Sequence, residues 1–345
     1  MLIVRPVRLE DLDDLYEISA HTKVGLTTFP HDREILQKKI EDSLNSFSKR
    51  PRRPSGETYF FVMEDTLENR LVGTCALFSK VGGFEPSYTY QIKTALNESK
   101  TLNVKKEIQY LKLKMDHNGP SEIGTLFLVP GYRRKGAGRL LSLSRFLLVA
   151  QYPQCFEPTV IAEMRGVLDE GNHSPFWNAV CQHFFVVDFE KADLMVMSDK
   201  SFIADLIPEH PIYIPILPKE AQEVIGRVHQ DTEPALNLLK QEGFIFANEV
   251  DIFEAGPVYK ANARDIRSVK ESREVVIDEI LNETSAGDIY LLANVSSFGS
   301  FRVIMGEVEM GHGLAKISKQ QAEVLRVDQG DKLRVVKARG HDHAG

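Results

Sequence analysis

The chain has 345 residues, 43% of them hydrophobic and 26% charged, with a net charge of −7. That length suits two domains, or one large domain with an appendage, and the composition excludes wholesale disorder. The acidic balance, with no long block of like charge, argues against nucleic acid as the main partner.

The N-terminus, Met1-Leu-Ile-Val-Arg-Pro, lacks the basic segment and long apolar run of a signal peptide, so a cytoplasmic location is expected. Leu2–Arg5 reads as a short strand cut by Pro6, and Glu10 to Ser19 carries Leu12, Leu15 and Ile18 at helical spacing. Ile35 to Phe47 returns to that spacing. Thr58–Met63 and Leu71–Phe78 are β-rich runs joined by a polar stretch, a hairpin signature. Gly82–Ser121 mixes aromatic and polar residues and gives no clear pattern. Glu122–Val129 reads as a strand ended by Pro130-Gly131, followed by the loop Tyr132–Gly138 and an apolar helix, Arg139–Gln151. Within that helix Ser142, Ser144 and Arg145 interrupt the apolar run, so it cannot span a bilayer and no membrane partner is expected.

Further on, Thr159–Glu163 reads as a strand, and Ser174-Pro175 opens a helix, Ser as N-cap and Pro in the first turn. Lys219–Gly226 and Pro234–Glu242 are two more helices. Gly243 sits where a left-handed C-cap is wanted, and Phe244–Phe253 resumes as a strand. Beyond Gly256 come short β-like runs at Val275–Ile280, Ile289–Val295, Phe301–Val308 and Leu333–Val336. Cys75, Cys155 and Cys181 are too few and too far apart for a disulfide framework. They read as small buried hydrophobes in a reducing compartment. The histidines show no HxxxH or paired spacing, and His341 and His343 lie in a frayed tail, so no metal site is expected.

The strongest short signal is Arg133-Arg134-Lys135-Gly136-Ala137-Gly138, between a strand and an apolar helix. Two glycines let the backbone approach a ligand closely. The first-turn N–H groups of the next helix lack intrahelical partners and can hold a pyrophosphate. A basic β-α turn with no ligand is an equal reading of the hexapeptide alone.

In context, Arg-x-x-Gly-x-Gly after such a strand resembles the CoA-pyrophosphate loop of the GCN5-related N-acyltransferases. The opening Ile3-Val-Arg-Pro-Val-Arg-Leu-Glu-Asp-Leu-Asp-Asp-Leu is similar to their first strand and helix. Thr232–Phe244 is similar to their late helix and Gly-Phe strand start, and Ser174–Phe185 is a second candidate for that place. Longer stretches are similar to one family within that fold, the arginine N-succinyltransferases. They are Glu122-Ile-Gly-Thr-Leu-Phe-Leu, Val160-Ile-Ala-Glu-Met-Arg-Gly-Val-Leu-Asp-Glu, Ser174-Pro-Phe-Trp, His210-Pro-Ile-Tyr, Glu220–His229 and Asp251-Ile-Phe-Glu-Ala-Gly-Pro.

The resemblance implies an α+β fold: a mixed, mostly antiparallel sheet flanked by helices. An acyltransferase domain over 1–255, with a large insertion over roughly 155–230, would precede a small β-rich unit over 256–345. It implies transfer of succinyl from succinyl-CoA, a co-substrate rather than a bound cofactor, to the α-amine of arginine, with self- or hetero-association plausible. It makes His229 the proton donor and places acyl-CoA at Leu126, with Leu128, Arg133, Arg134, Gly136 and Gly138 beside it.

The chemistry fits a histidine, since amide formation from a thioester needs a neutral amine and a protonated leaving thiolate. A guanidinium wants a carboxylate, and an α-carboxylate wants Arg or backbone donors. Glu163, Arg165, Asp169 and Glu170, on or just after a strand, are candidates for those roles, although solvated loop charges are an equal reading. Rival readings are an N-acetyltransferase or an ornithine-directed enzyme, and a CoA-binding regulatory protein without turnover.

Overall fold

The structure, a computed structural model, describes residues 1–22, 28–133, 136–169, 171, 173–196, 200–283 and 287–339. The chain opens with β1 (Leu2–Pro6), α1 (Leu12–Ser19) and α2 (Arg33–Lys49), then β2 (Thr58–Asp65) and β3 (Arg70–Phe78). Asp32 caps α2 by accepting the Glu34 and Ile35 N–H groups, and Leu36, Ile40 and Phe47 form its buried stripe. Two strands of thirteen residues each follow, β4 (Ser87–Ser99) and β5 (Val104–Asp116), over the stretch 82–121 that shows no clear periodicity. Next come β6 (Ser121–Leu128), α3 (Ala137–Gln151) and β7 (Thr159–Glu163).

A helical stretch contains α4 (Pro175–Ala179), α5 (Phe189–Met195), α6 (Ser201–Leu206), β8 (Ile212–Tyr213), α7 (Lys219–Val224) and α8 (Glu233–Gln241). The chain continues through β9 (Ile245–Asp251), β10 (Pro257–Asn262), α9 (Arg267–Lys270), β11 (Arg273–Leu281), β12 (Asp288–Asn294) and β13 (Val303–Gly311). It ends with β14 (Leu314–Ser318), α10 (Lys319–Leu325) and β15 (Lys332–Lys337).

The central sheet runs β1-β2-β3-β6-β7-β10-β9-β4-β5-β8. Its pairs are antiparallel except β6–β7. Strand β10, which starts two residues past the expected boundary at 255/256, is hydrogen-bonded to β7 and β9 and so lies inside this sheet. Strands β11 to β15 close a five-stranded ring in the order β12-β15-β11-β14-β13, because β13 pairs back to β12. The ring joins the sheet through β13 against β1, Ile304 opposite Ile3 and Val303 opposite Val4.

Helix α3 touches β3 and β6 on one side and β12, β13 and β15 on another. That enclosure explains why it is apolar nearly all round. Helix α8 also packs on α3 and leads through Gly243 (φ +96°) into β9, whereas α4 packs on α7. Helices α1 and α2 cover the opposite face over β2 and β3. All three cysteines are buried and unpaired. Among the described residues, no helix is long and apolar enough to cross a membrane.

Candidate active site

Strands β6 and β7 pair in parallel at Ser121–Val160 and Glu122–Ile161, and no further pair is formed along them. From Ile123 onward β6 therefore parts from β7 and leaves one edge of its backbone open. On its other side the β3 ladder skips: Thr74 faces Phe127 and Ala76 faces Gly124, so two residues oppose Cys75. Thr125 takes φ +53° in this bulge, which re-aims the strand.

The displaced carbonyls are met from the core. Thr74 Oγ1 donates to the Thr125 carbonyl at 3.0 Å. Arg145, fully buried on α3, places Nη1 3.4 Å from the Gly124 carbonyl oxygen while Nε and Nη2 donate to Ser142. Burial lowers the Arg145 pKa. Sequence reasoning gave this residue no role; its interruption of the apolar helix was the available signal.

Leu126 and Leu128 both pack into the core beneath α3. An acyl-CoA on this strand would thus meet their backbone groups rather than their side chains. The Leu128 carbonyl already accepts from Arg133 Nε at 3.0 Å. Arg134 and Lys135 lie outside the described residues. Gly136 is the N-cap of α3 at φ +80°, and a Cβ there would press on Met305 Cε at 2.5 Å. At Gly138 the nearest atom to an added Cβ would be Leu128 Cδ2, 4.0 Å away. The loop thus delivers a glycine-flanked helix start, with its unpaired N–H groups, to the open edge of β6.

His229 lies past α7, and its N–H donates to the Arg165 carbonyl at 2.9 Å, which ties it to the end of β7. Its Nδ1 accepts the Asp231 N–H at 3.1 Å, an arrangement that assigns the neutral ring's proton to Nε2. The β9–β10 turn lies on the same segment. The Met164 N–H donates to the Pro257 carbonyl, the Gly226 N–H to the Ala255 carbonyl, and the Gly166 N–H to Glu254 Oε2 at 2.8 Å. Glycine is required here, because a Cβ on Gly256 would overlap the Met164 carbonyl and one on Gly166 the Glu254 carbonyl. Three sequence segments, 160–166, 220–229 and 251–257, are thereby knitted into one layer.

Carboxylates crowd this layer. Glu163, at the end of β7, is exposed as a residue; desolvation of its carboxyl first, then Glu122, Asp251 and Glu249, push its pKa up, with Lys200 opposing. Burial pushes Glu122 up to about 7 against Lys200 and Lys39, and Asp193 up to about 7. Asp251 and Glu254 are raised for the same first reason. Arg165 faces Asp193 and Glu254. Asp169 is exposed and committed locally: Oδ1 accepts the Gly171 and His173 N–H groups, which hold its pKa low. Glu170 lies outside the described residues.

A cavity of about 640 Å³ opens near the closed end of the β6–β7 pair, between Gly119, Thr159, Glu249 and Lys260. His229, Arg165 and Glu254 do not line it. The parted strands and glycine loop, rather than this cavity, carry groups suited to acyl transfer.

A sequence profile described as "Arginine N-succinyltransferase beta subunit" matches residues 2–268. An arginine N-succinyltransferase of Yersinia pseudotuberculosis serotype O:3 is 41% identical over 343 residues, covering 97% of each chain. One from Escherichia coli (strain 55989 / EAEC) is 38% identical over 341 residues, covering 98% of each. The solved arginine/ornithine succinyltransferase subunit AI of Pseudomonas aeruginosa superposes with a TM-score of 0.90 at 32% identity, covering 99% of each chain.

Proposed function

We propose that this chain, which belongs to the arginine N-succinyltransferase family, moves a succinyl group from succinyl-CoA to the α-amine of arginine, giving CoA and N2-succinylarginine. The observation that carries this reading is the opening of β6 from β7 beside the glycine loop, with His229 tied by its backbone to the end of β7. The strand order β1-β2-β3-β6-β7-β10-β9, with α3 and α8 on one face and α1 and α2 on the other, supports the GCN5-related acyltransferase likeness. In that reading α8, which runs into β9, fills the late-helix place.

The open edge of β6 offers N–H and C=O groups to the amides of the CoA arm, and Gly136 and Gly138 let the pyrophosphate reach the start of α3. The acidic recess draws in a cationic amino acid and can accept the proton its α-ammonium must lose, since Glu122 titrates near neutrality. Attack by the neutral amine on the thioester carbonyl gives a tetrahedral oxyanion with a positively charged nitrogen; that nitrogen sheds a proton to water and collapse breaks the C–S bond, the sulfur leaving as thiolate. His229 is assigned to the departing thiolate. With Nδ1 held by Asp231, its neutral ring presents Nε2–H as the donor. Full proton transfer needs an imidazolium, whose second proton sits on Nδ1, the atom that the Asp231 N–H meets in this structure.

A thiol-release assay crossing succinyl- and acetyl-CoA with arginine, ornithine and lysine tests this. Succinyl-CoA with arginine should give the highest kcat/KM. Equal turnover with acetyl-CoA would favour a general N-acetyltransferase, and no turnover with any pair would leave a CoA-binding protein.

A further inference from the structure

In the layer beneath His229, one carboxylate oxygen is buried without a partner. Glu254 is 7% exposed; its Oε2 accepts the Gly166 N–H, and its Oε1 has no hydrogen-bond partner. Arg165 Nε, in the same layer, is likewise buried and unpartnered. Folded proteins satisfy nearly all buried polar atoms, so such an orphan calls for a partner that the described residues do not supply. The titratable groups that face Glu254 are Asp251, Asp193 and Arg165, two acids to one cation. A third acid in that company lacks a positive partner.

Resting on the reading of arginine as acceptor, we propose that Glu254 binds the acceptor's cationic side chain, its free Oε1 taking an N–H of the guanidinium. The geometry supplies the preorganisation. Asp251 Oδ1 accepts the Phe253 and Glu254 N–H groups at 2.8 and 2.7 Å and so fixes the turn that carries Glu254. Gly166 and Gly256 let that turn lie directly on the chain after β7. The Arg165 carbonyl holds the His229 N–H from the same strand of backbone, so cation site and proton donor share one rigid support. Binding of the guanidinium would also balance the local charge, which burial alone leaves costly.

The test uses the full-length enzyme with arginine and citrulline, a neutral urea of the same shape, as alternative acceptors at saturating succinyl-CoA. Wild type should prefer arginine. Glu254→Gln should lower kcat/KM for arginine roughly ten- to a hundredfold and leave citrulline within about threefold, so the preference collapses. Glu254→Asp, which keeps the charge but withdraws it by one methylene, should fall between the two and covers the case in which the amide variant fails to fold. Wild type that uses citrulline as well as arginine overturns the proposal, as does a folded Glu254→Gln with the preference intact. The alternative is a Glu254 that serves only to pair with Arg165. Then Glu254→Gln and Arg165→Met would lower the Tm alike and leave the preference untouched, which also overturns it. Wild type that acylates neither acceptor would sink the arginine reading itself, a separate outcome.

Discussion

A methyl group added at Gly138 would meet nothing closer than Leu128 Cδ2 at 4.0 Å, whereas one at Gly136 would collide with Met305 and demand φ +80° of a side-chain-bearing residue. The two glycines therefore report different things. Gly138→Ala should leave the Tm nearly unchanged and raise the KM for succinyl-CoA about tenfold or more, because the methyl intrudes on the pyrophosphate rather than on the protein. Gly136→Val should lower the Tm as well. An unchanged KM in folded Gly138→Ala would remove that position from the CoA site. At His229 the chemical step should suffer. His229→Ala should reduce kcat by about 10²–10⁴-fold, and His229→Gln nearly as much, while the calorimetric Kd for succinyl-CoA stays within a few-fold. More than about a tenth of kcat surviving would reduce His229 to a positioning role.

Among the elements, the acidic recess formed by β6, β7, α5 and the β9–β10 turn has its own signature. Glu122 shifts from an ordinary 4.5 to about 7 and Asp193 from 3.8 to about 7, both upward. A carboxyl raised on folding keeps a proton that the unfolded chain releases, so its contribution to stability is full below the ordinary value and is lost as pH rises through the folded one. Asp65 and Asp169, held below 3.8, act in the opposite sense only at lower pH. The Tm of the ligand-free enzyme should therefore fall between about pH 4.5 and 7, and Glu122→Gln should flatten that slope. A Tm that rises across the window in wild type would show that these carboxyls are ionised throughout.

Many elements were legible because their residues obey one period: α2 and α8 at helical spacing, β2, β3, β6 and β7 as apolar runs; α5 and β10, which border the recess, were not read. Nor was the hairpin β4–β5. Its outer halves are exposed on both faces, so no alternation marks residues such as Thr94, Leu96, Lys105 and Glu107 as strand. Glu254 was likewise legible only as part of a family-like string. Its orphaned oxygen comes from the meeting of two segments almost ninety residues apart, and no local pattern encodes that.

On the scale of the whole molecule, the ring β11–β15 shares its core with the sheet instead of hanging from it. Leu291, Phe298, Phe301, Val303 and Val336 are buried in the same cluster as Val4, Phe47, Phe61 and Leu141. Phe298 meets Phe47 at 5.3 Å and Tyr152 at 4.6 Å between ring centres. Polar ties cross as well: Arg267 bridges Glu242, at the end of α8, and the Lys337 carbonyl, while Arg139 at the start of α3 donates to the Ala338 carbonyl. Met305 of β13 supports Gly136 in the glycine loop.

The magnitudes decide what removing the ring would do. Burying a large aliphatic or aromatic side chain is worth about 1.5–3 kcal/mol, so losing Leu291, Phe298, Phe301 and Val303 alone withdraws roughly 6–12 kcal/mol. Whole domains are stable by only about 5–15 kcal/mol. A chain cut after Ser272 should therefore fail to fold, and it should appear as insoluble or non-cooperatively melting material in circular dichroism. The intact protein should melt as one unit. The fluorescence of its single tryptophan, Trp177, on α4 and buried in the other large cluster, should change together with the loss of β-sheet signal. A soluble 1–272 fragment with a cooperative transition, or two separated transitions in the full chain, would show that the acyltransferase sheet stands without its ring.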